Sequence, residues 1–324
     1  MARSGRTRVA GTAAAGAVLL AAATSYAMLS RPATHAAGAD ALHDVMRPGR
    51  LLVVSGGHLA TVSATGAPDR AKQMTWVSCV RAYAASGTGV CLRQDGAWTY
   101  SLHVLDAHLR DSASYPLRGL PNRARVSSSG RMVSWTSFIG GESYNKGGLS
   151  TRTGILDTAT GEQVPTLESF HVTLDGRPYR AVDLNVWGVT FTSDDNRFYA
   201  TMSTQGVRYL VEGSFTARTM RTLATNVECP SLSPDGTRIA FKQAIDDNPV
   251  NGWRLSVLDL ATMDVTHLAE TRSIDDQPTW LDDATVAYTF RDSAGTPSVW
   301  STPADGSGRP SMRVSGAESP ALLS

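Results

Sequence analysis

The chain has 324 residues, 30 of them basic and 29 acidic, for a formal net charge of +1. Four arginines and no acid precede Asp40, which leaves 26 basic against 29 acidic residues in the remainder, without the basic excess of a nucleic-acid reader. Three cysteines, Cys79, Cys91 and Cys229, exclude a multi-cysteine zinc site and suit an exported chain with at most one disulfide.

Arg3, Arg6 and Arg8 lead a charge-free stretch from Val9 to Ser30, followed by Arg31 and Pro32. A basic head on an apolar body is the pattern of an export signal. The apolar part, Val9 to Leu29, is about 31 Å long as a helix, just enough to span a bilayer. It is also rich in Ala, and Thr34-His35-Ala36 and Ala37-Gly38-Ala39 offer late cleavage sites. Residues 1–39 are therefore a cleaved signal peptide or a retained anchor, an apolar helix in or through the membrane. Residues 40–324 form an extracytoplasmic domain, secreted or membrane-anchored.

From Leu51 to Asp69 the pattern is of three short strands lacking a first one. Hairpin turns then recur at Ser86-Gly87, Ser129-Gly130, Asp194-Asp195, Asp235-Gly236 and Asp282-Asp283. The clearest is Ser233-Pro234-Asp235-Gly236, where Pro pre-sets φ and Gly accepts the positive φ that other residues resist. Aligned on the turns, the return strands place Val90, Val133, Phe198, Ile239 and Val286 in one column. Leu92, Trp135, Ala200, Phe241 and Tyr288 follow two places on, on the same strand face. The column between them, Cys91, Ser134, Tyr199, Ala240 and Ala287, is mixed and often small, so these strands are expected to be buried on both faces.

A second strand pair follows each hairpin, announced by Val104-Leu105-Asp106, Ile155-Leu156-Asp157 and Val257-Leu258-Asp259. Four strands at a period in the forties describe a β-propeller blade. The segment Glu318 to Ser324 supplies the first strand that the N-terminal unit lacks. The fold class is thus all-β, a six-bladed β-propeller closed by the C-terminal strand and preceded by one N-terminal apolar helix.

The phrase Pro230-Ser231-Leu232-Ser233-Pro234-Asp235-Gly236-Thr237-Arg238-Ile239-Ala240-Phe241 resembles the WD40-like repeats of the TolB-like propeller family. The likeness covers roughly residues 48 to 324. It implies a protein-interaction factor of the periplasm, without the extra N-terminal domain of TolB itself.

Chemistry is sparse along the chain. No Gly-x-Ser-x-Gly elbow, His-Glu-x-x-His pair or Gly-rich phosphate loop occurs, so no catalysis is expected. His103 and His108 fall on opposite faces and cannot share a metal locally. Asp106, Asp157, Asp194, Asp235 and Asp259 sit at turns, where Asp bonds its own backbone. Arg118, Arg123, Arg125 and Arg131 read as a solvated edge. With the turn at Ser86-Gly87, Cys79 and Cys91 are diagonal neighbours on one hairpin face, a geometry open either to a disulfide or to simple core filling by Cys91. Cys229 lies in a blade not adjacent to theirs and is expected to be unpaired.

Topology singles out one end of the propeller, where the first strands start and where the longer insertions lie: Phe138 to Ser150, Ala244 to Gly252 and the link Thr166 to Leu184. In the link, Asp175-Gly176 between apolar runs predicts a projecting hairpin with a type I′ turn. Onto this end open Asn122, Trp187, Glu228, Asp276 and Glu318, with Asn226, Asp275 and Gln277 beside them, an expected acidic and partly aromatic channel mouth. The binding of a protein or cell-envelope component there, by a monomer without cofactor, is the leading expectation. A lactonase-like or other hydrolytic propeller, with calcium held by Glu228, Asp276, Glu318 and Asn122, is the alternative.

Overall fold

The computed structural model describes residues 46–65, 71–140 and 150–323. The apolar N-terminal segment and its two alternatives, and most of the Phe138–Ser150 insertion, lie outside the described residues. Among those that are described, no helix is long and apolar enough to cross a membrane.

Six sheets, antiparallel except for one parallel pair, surround a central channel as propeller blades. The innermost strands, in order around the ring, are Glu318–Leu322, Arg81–Ala85, Leu120–Val126, Asn185–Phe191, Glu228–Leu232 and Thr279–Asp282. Closure occurs in the first blade: Leu51 pairs Leu322, Leu52 pairs Ala321, and the Leu323 amide donates to the Arg50 carbonyl at 2.9 Å. This removes the open edge that a linear array of blades would leave.

All three residue columns of the second strands are buried. Blade packs on blade through both faces of these strands, so a residue every second position contributes about 1.5–3 kcal/mol where it is a large apolar side chain. The fit is tight enough to demand glycine opposite the largest of them. Gly154 faces Trp135 and Gly213 faces Phe198, and a Cβ at either glycine would lie within 2.2 Å of the opposing ring.

The Asp175-Gly176 turn has φ of 48° and 78°, as a type I′ hairpin requires. Its strands do not project. His171–Leu174 pairs in parallel with Thr219–Thr225, and Arg177–Tyr179 adds outside it, so the hairpin extends the fourth blade to six strands. Burial of Leu167, Phe170 and Val172 explains the docking, with Phe170 edge-on to Phe198 at 6.1 Å. A free hairpin would leave these side chains in water.

Cys79 and Cys91 are joined by a disulfide across a Cα–Cα distance of 5.5 Å. Cys79 lies in the link between the first two blades, where its amide donates to the Gly57 carbonyl, and Cys91 lies on the second strand of the next blade. The crosslink therefore fixes one blade to the connection from its neighbour.

Candidate functional site: the loop-rich mouth of the channel

The site begins with a backbone irregularity. At the start of three innermost strands a residue adopts positive φ: Gly188 at 66°, Cys229 at 53° and Ser319 at 54°. The strand register slips at each of these places. Such bulges re-aim the flanking side chains, here Trp187 and Glu228 into the mouth and Glu318 onto Arg81 and Arg291 behind its wall. Gly188 is also needed for close approach, since a Cβ there would lie 2.9 Å from the Cα of Cys229.

Asn122, Trp187, Glu228 and Asp275 line one cavity of about 520 Å³ at the loop-rich end. Asp276 and Gln277 lie at a constriction beneath it, together with Arg123 and Arg125. Gln277 acts within the fold, donating to the carbonyls of Pro230 at 2.8 Å and Val189 at 3.2 Å. Glu318 stands behind the wall, paired with Arg81 at 3.0 Å and with Arg291. Asn226 is not part of this mouth. Its amide clamps the backbone of Ala244 and the Asp247 carboxylate beside a separate cleft.

The mouth is not acidic. Its wall carries Arg81, Arg123, Arg208, Lys242 and Arg291 against two carboxylates, Glu228 and Asp275. Arg123 and Arg125 are channel residues, almost fully buried, rather than a solvated edge. They share a strand and differ by two in sequence, so both point inward. That alternation was the available signal. For Lys242 the signal was a charged residue directly after the buried Phe241 of a strand expected to be closed on both faces.

Burial of these charges is compensated by pairing across blades. Glu228 forms ion pairs with Arg208 at 2.9 Å and with Lys242 at 3.1 Å, and Lys242 also reaches Asp275. Asp276 accepts from the Thr289 amide at 3.1 Å and lies 3.9 Å from Arg81. Burial acts to lower the pKa of Lys242, and the Glu228 and Asp275 carboxylates act to raise it. Burial pushes the Cys229 thiol up despite Arg123 and Lys242, and Cys229 is free and neutral. Lys242 is thus answered by carboxylates and not by a thiolate. Trp253 packs on the same charges, with Lys242 Nζ 4.1 Å from its ring centre and Arg208 at 5.5 Å. Phe138 and Trp187 complete a half-buried aromatic wall.

Calcium fits this geometry poorly. Its four expected ligands are split between rim, constriction and outer wall, and their carboxylates are engaged by guanidinium or ammonium groups. Among the described residues no group of three or more His, Cys, Asp or Glu side chains gathers as a metal site. His103 is held between Asp95 at 3.6 Å and Asp111 at 3.1 Å, away from the channel.

Around this mouth the surface changes character. Val80, Trp98, Leu120, Val182, Val207 and Val250 are large apolar side chains left in solvent, all on links, strand starts or second-to-third-strand loops of the loop-rich end. Trp98 is 87% exposed, Val182 99% and Val250 90%. At the opposite end Met263 and Val265 flank a third-to-fourth-strand turn and are less exposed, and Met74 and Trp76 are exposed on the outer strand of the first blade.

No family model and no curated protein matches the sequence. Solved structures do match in fold. TolB from Acinetobacter baumannii is 16% identical, with a TM-score of 0.63, over 84% of this chain and 66% of that one. This chain therefore spans slightly less than two thirds of that TolB. A putative TolB from Agrobacterium tumefaciens is 12% identical with a TM-score of 0.51, over 84% of this chain and 91% of its own. A chain of a nidogen/laminin complex is likewise 12% identical, with a TM-score of 0.52, over 84% and 97%. At these identities the likeness is one of architecture, and the architecture is the six-bladed propeller of the TolB-like kind.

Proposed function

We propose that the protein is a non-catalytic binding propeller that docks a protein of the cell envelope on its loop-rich end, outside the cytoplasm. The observation that carries this reading is the set of exposed apolar side chains, Trp98, Val182 and Val250 foremost, on the loops of the end where the charged, aromatic-walled mouth opens. Large apolar side chains on exposed loops beside a cavity suit a surface that a partner covers. A recognition surface with a polar centre and apolar anchors fits protein docking better than it fits chemistry on a small substrate. The disulfide supports an oxidising compartment, in keeping with the basic and apolar N-terminal sequence.

The test is comparative capture from an envelope extract with the full chain as bait. Trp98→Ser combined with Val250→Ser should lose the bound protein, while Met263→Ser at the other end should keep it. Loss in the Met263 variant alone would move the docking surface to the short-turn end. Calcium retained stoichiometrically by the purified protein would favour the cation-dependent alternative instead.

A further inference from the structure

We propose that the mouth contains a carboxylate subsite floored by Arg123, which receives an acidic group of a peptide segment. The proposal rests on reading the loop-rich end as the binding face and names the chemistry recognised there. Of the five cations around the cavity, four have carboxylate partners: Arg81 and Arg291 share Glu318, Arg208 has Glu228, and Lys242 has Glu228 and Asp275. Arg123 does not. Its closest carboxylate oxygen, on Asp275, is 3.9 Å away and already taken by Lys242.

The Arg123 side chain is nine-tenths buried, and its Nε has no hydrogen-bond partner. Nη1 donates to the Asn122 carbonyl at 3.1 Å, the neutral thiol of Cys229 lies beside the guanidinium, and Asp276 and Asp275 act on it at longer range. A buried guanidinium with unused N–H groups is costly to leave unmatched. A carboxylate presents two acceptors in the spacing that the guanidinium fork fits.

Charge selects an anion. The cavity wall carries five cations against two carboxylates, Glu228 and Asp275, and Arg125 stands with Asp276 at the constriction beneath. Size and lining select a peptide over a bare ion. The cavity of about 520 Å³ lies in the range of small-ligand sites, and Phe138, Trp187 and Trp253 offer apolar surface for the residue that carries the acid.

The experiment uses the full chain at low salt and three probes followed by saturation-transfer NMR and calorimetry: N-acetyl-Gly-Phe as the free acid, the same dipeptide as its amide, and N-acetyl-Asp-Phe amide. The acid should bind at least about tenfold tighter than the amide, the advantage shrinking as salt rises. Equal affinity of the aspartyl amide assigns the acid to a side chain, and preference for the free acid assigns it to a chain terminus; both support the subsite. Arg123→Gln should erase the acid-over-amide preference, and Arg123→Lys should restore part of it. The wild-type comparison stands even if a variant fails to fold. Equal binding of acid and amide, no binding of either, or tighter binding of a phosphoseryl probe overturns the proposal. If it fails while capture still depends on Trp98 and Val250, the docking face survives and only the subsite is removed.

Discussion

At the short-turn end of the channel, carboxylates are held by their own turns. Asp235 accepts from the Thr237 amide at 3.0 Å, Asp194 from the amides of Asn196 and Arg197 at 2.9 and 2.8 Å, and Asp282 from the Ala284 amide at 2.8 Å. At the loop-rich end Glu228 is met by side chains from other strands, Arg208 and Lys242. The short-turn cavity is the larger, about 630 Å³, and is lined mainly by hydroxyls and buried aromatic side chains. Volume alone favours the end opposite the proposed docking face. A carboxylate saturated by backbone amides has nothing left to offer a ligand, whereas side-chain pairs at the other mouth can re-partner when an outside acid arrives.

The broadest way to break this contrast is to open the ring, because the closing strand contributes to both ends, Glu318 to one and Leu322 to the other. Deleting Glu318 to Ser324 should cost several kcal/mol, since Ala321 and Leu323 are buried and one Leu alone contributes about 2 kcal/mol. The denaturation midpoint should fall steeply. An unchanged midpoint would mean that the first blade is closed in another way.

A narrower test acts on the loop-rich end only. Glu228→Gln leaves Arg208 and Lys242 without their shared carboxylate, so stability should drop by about 3 kcal/mol, the scale for breaking one side of a buried pair. The same change makes the mouth more positive and should tighten an acidic peptide. Weakened binding in a folded variant would show that Glu228 itself contacts the ligand. Next in size is the disulfide, whose sequence separation of 12 predicts a loss of about 2–3 kcal/mol on replacing both cysteines by Ala. Mouth binding should be preserved, because the bond secures the link between the first two blades and not the rim. Thermal melts with and without reductant measure the effect.

Much of the fold is legible because its determinants are local or periodic. The Pro234-Asp235-Gly236 turn, the alternation around Phe241 and the missing strand at each end all act within a few residues or by simple register. The outer hairpin was half legible: its turn is written in Asp175-Gly176, but its docking depends on the edge of Thr219–Thr225 and on Phe198, both remote in sequence. The mouth was least legible. Glu228 and Asp276 carry their negative charge in the sequence, while Arg208, Arg123 and Arg81, which neutralise or surround them, arrive from three other blades. Net charge at a channel mouth is a property of the assembled ring.

The smallest effect is expected where the contrast is purest, in Asp235→Asn. An Asn keeps one oxygen to accept from the Thr237 amide and loses only the charge opposite Arg238, an exposed pair at 3.3 Å. The stability loss should be about 1 kcal/mol or less, with mouth binding unchanged. The acid limb reports the missing charge. Hydrogen bonds from Ser233 and from the Thr237 amide hold the Asp235 carboxyl below its ordinary range, so its contribution is present above the unfolded pKa and is lost as pH falls through the folded one. Asp157, held down to about 2 chiefly by Arg131, behaves in the same sense in its own blade. Removing the Asp235 charge should therefore flatten part of the rise in stability with pH below the ordinary carboxylate range and leave the neutral region nearly untouched. A variant that keeps the full acid dependence would show the turn to be held by Pro234 and Gly236 alone. One that loses peptide binding would place the working surface at the short-turn end after all.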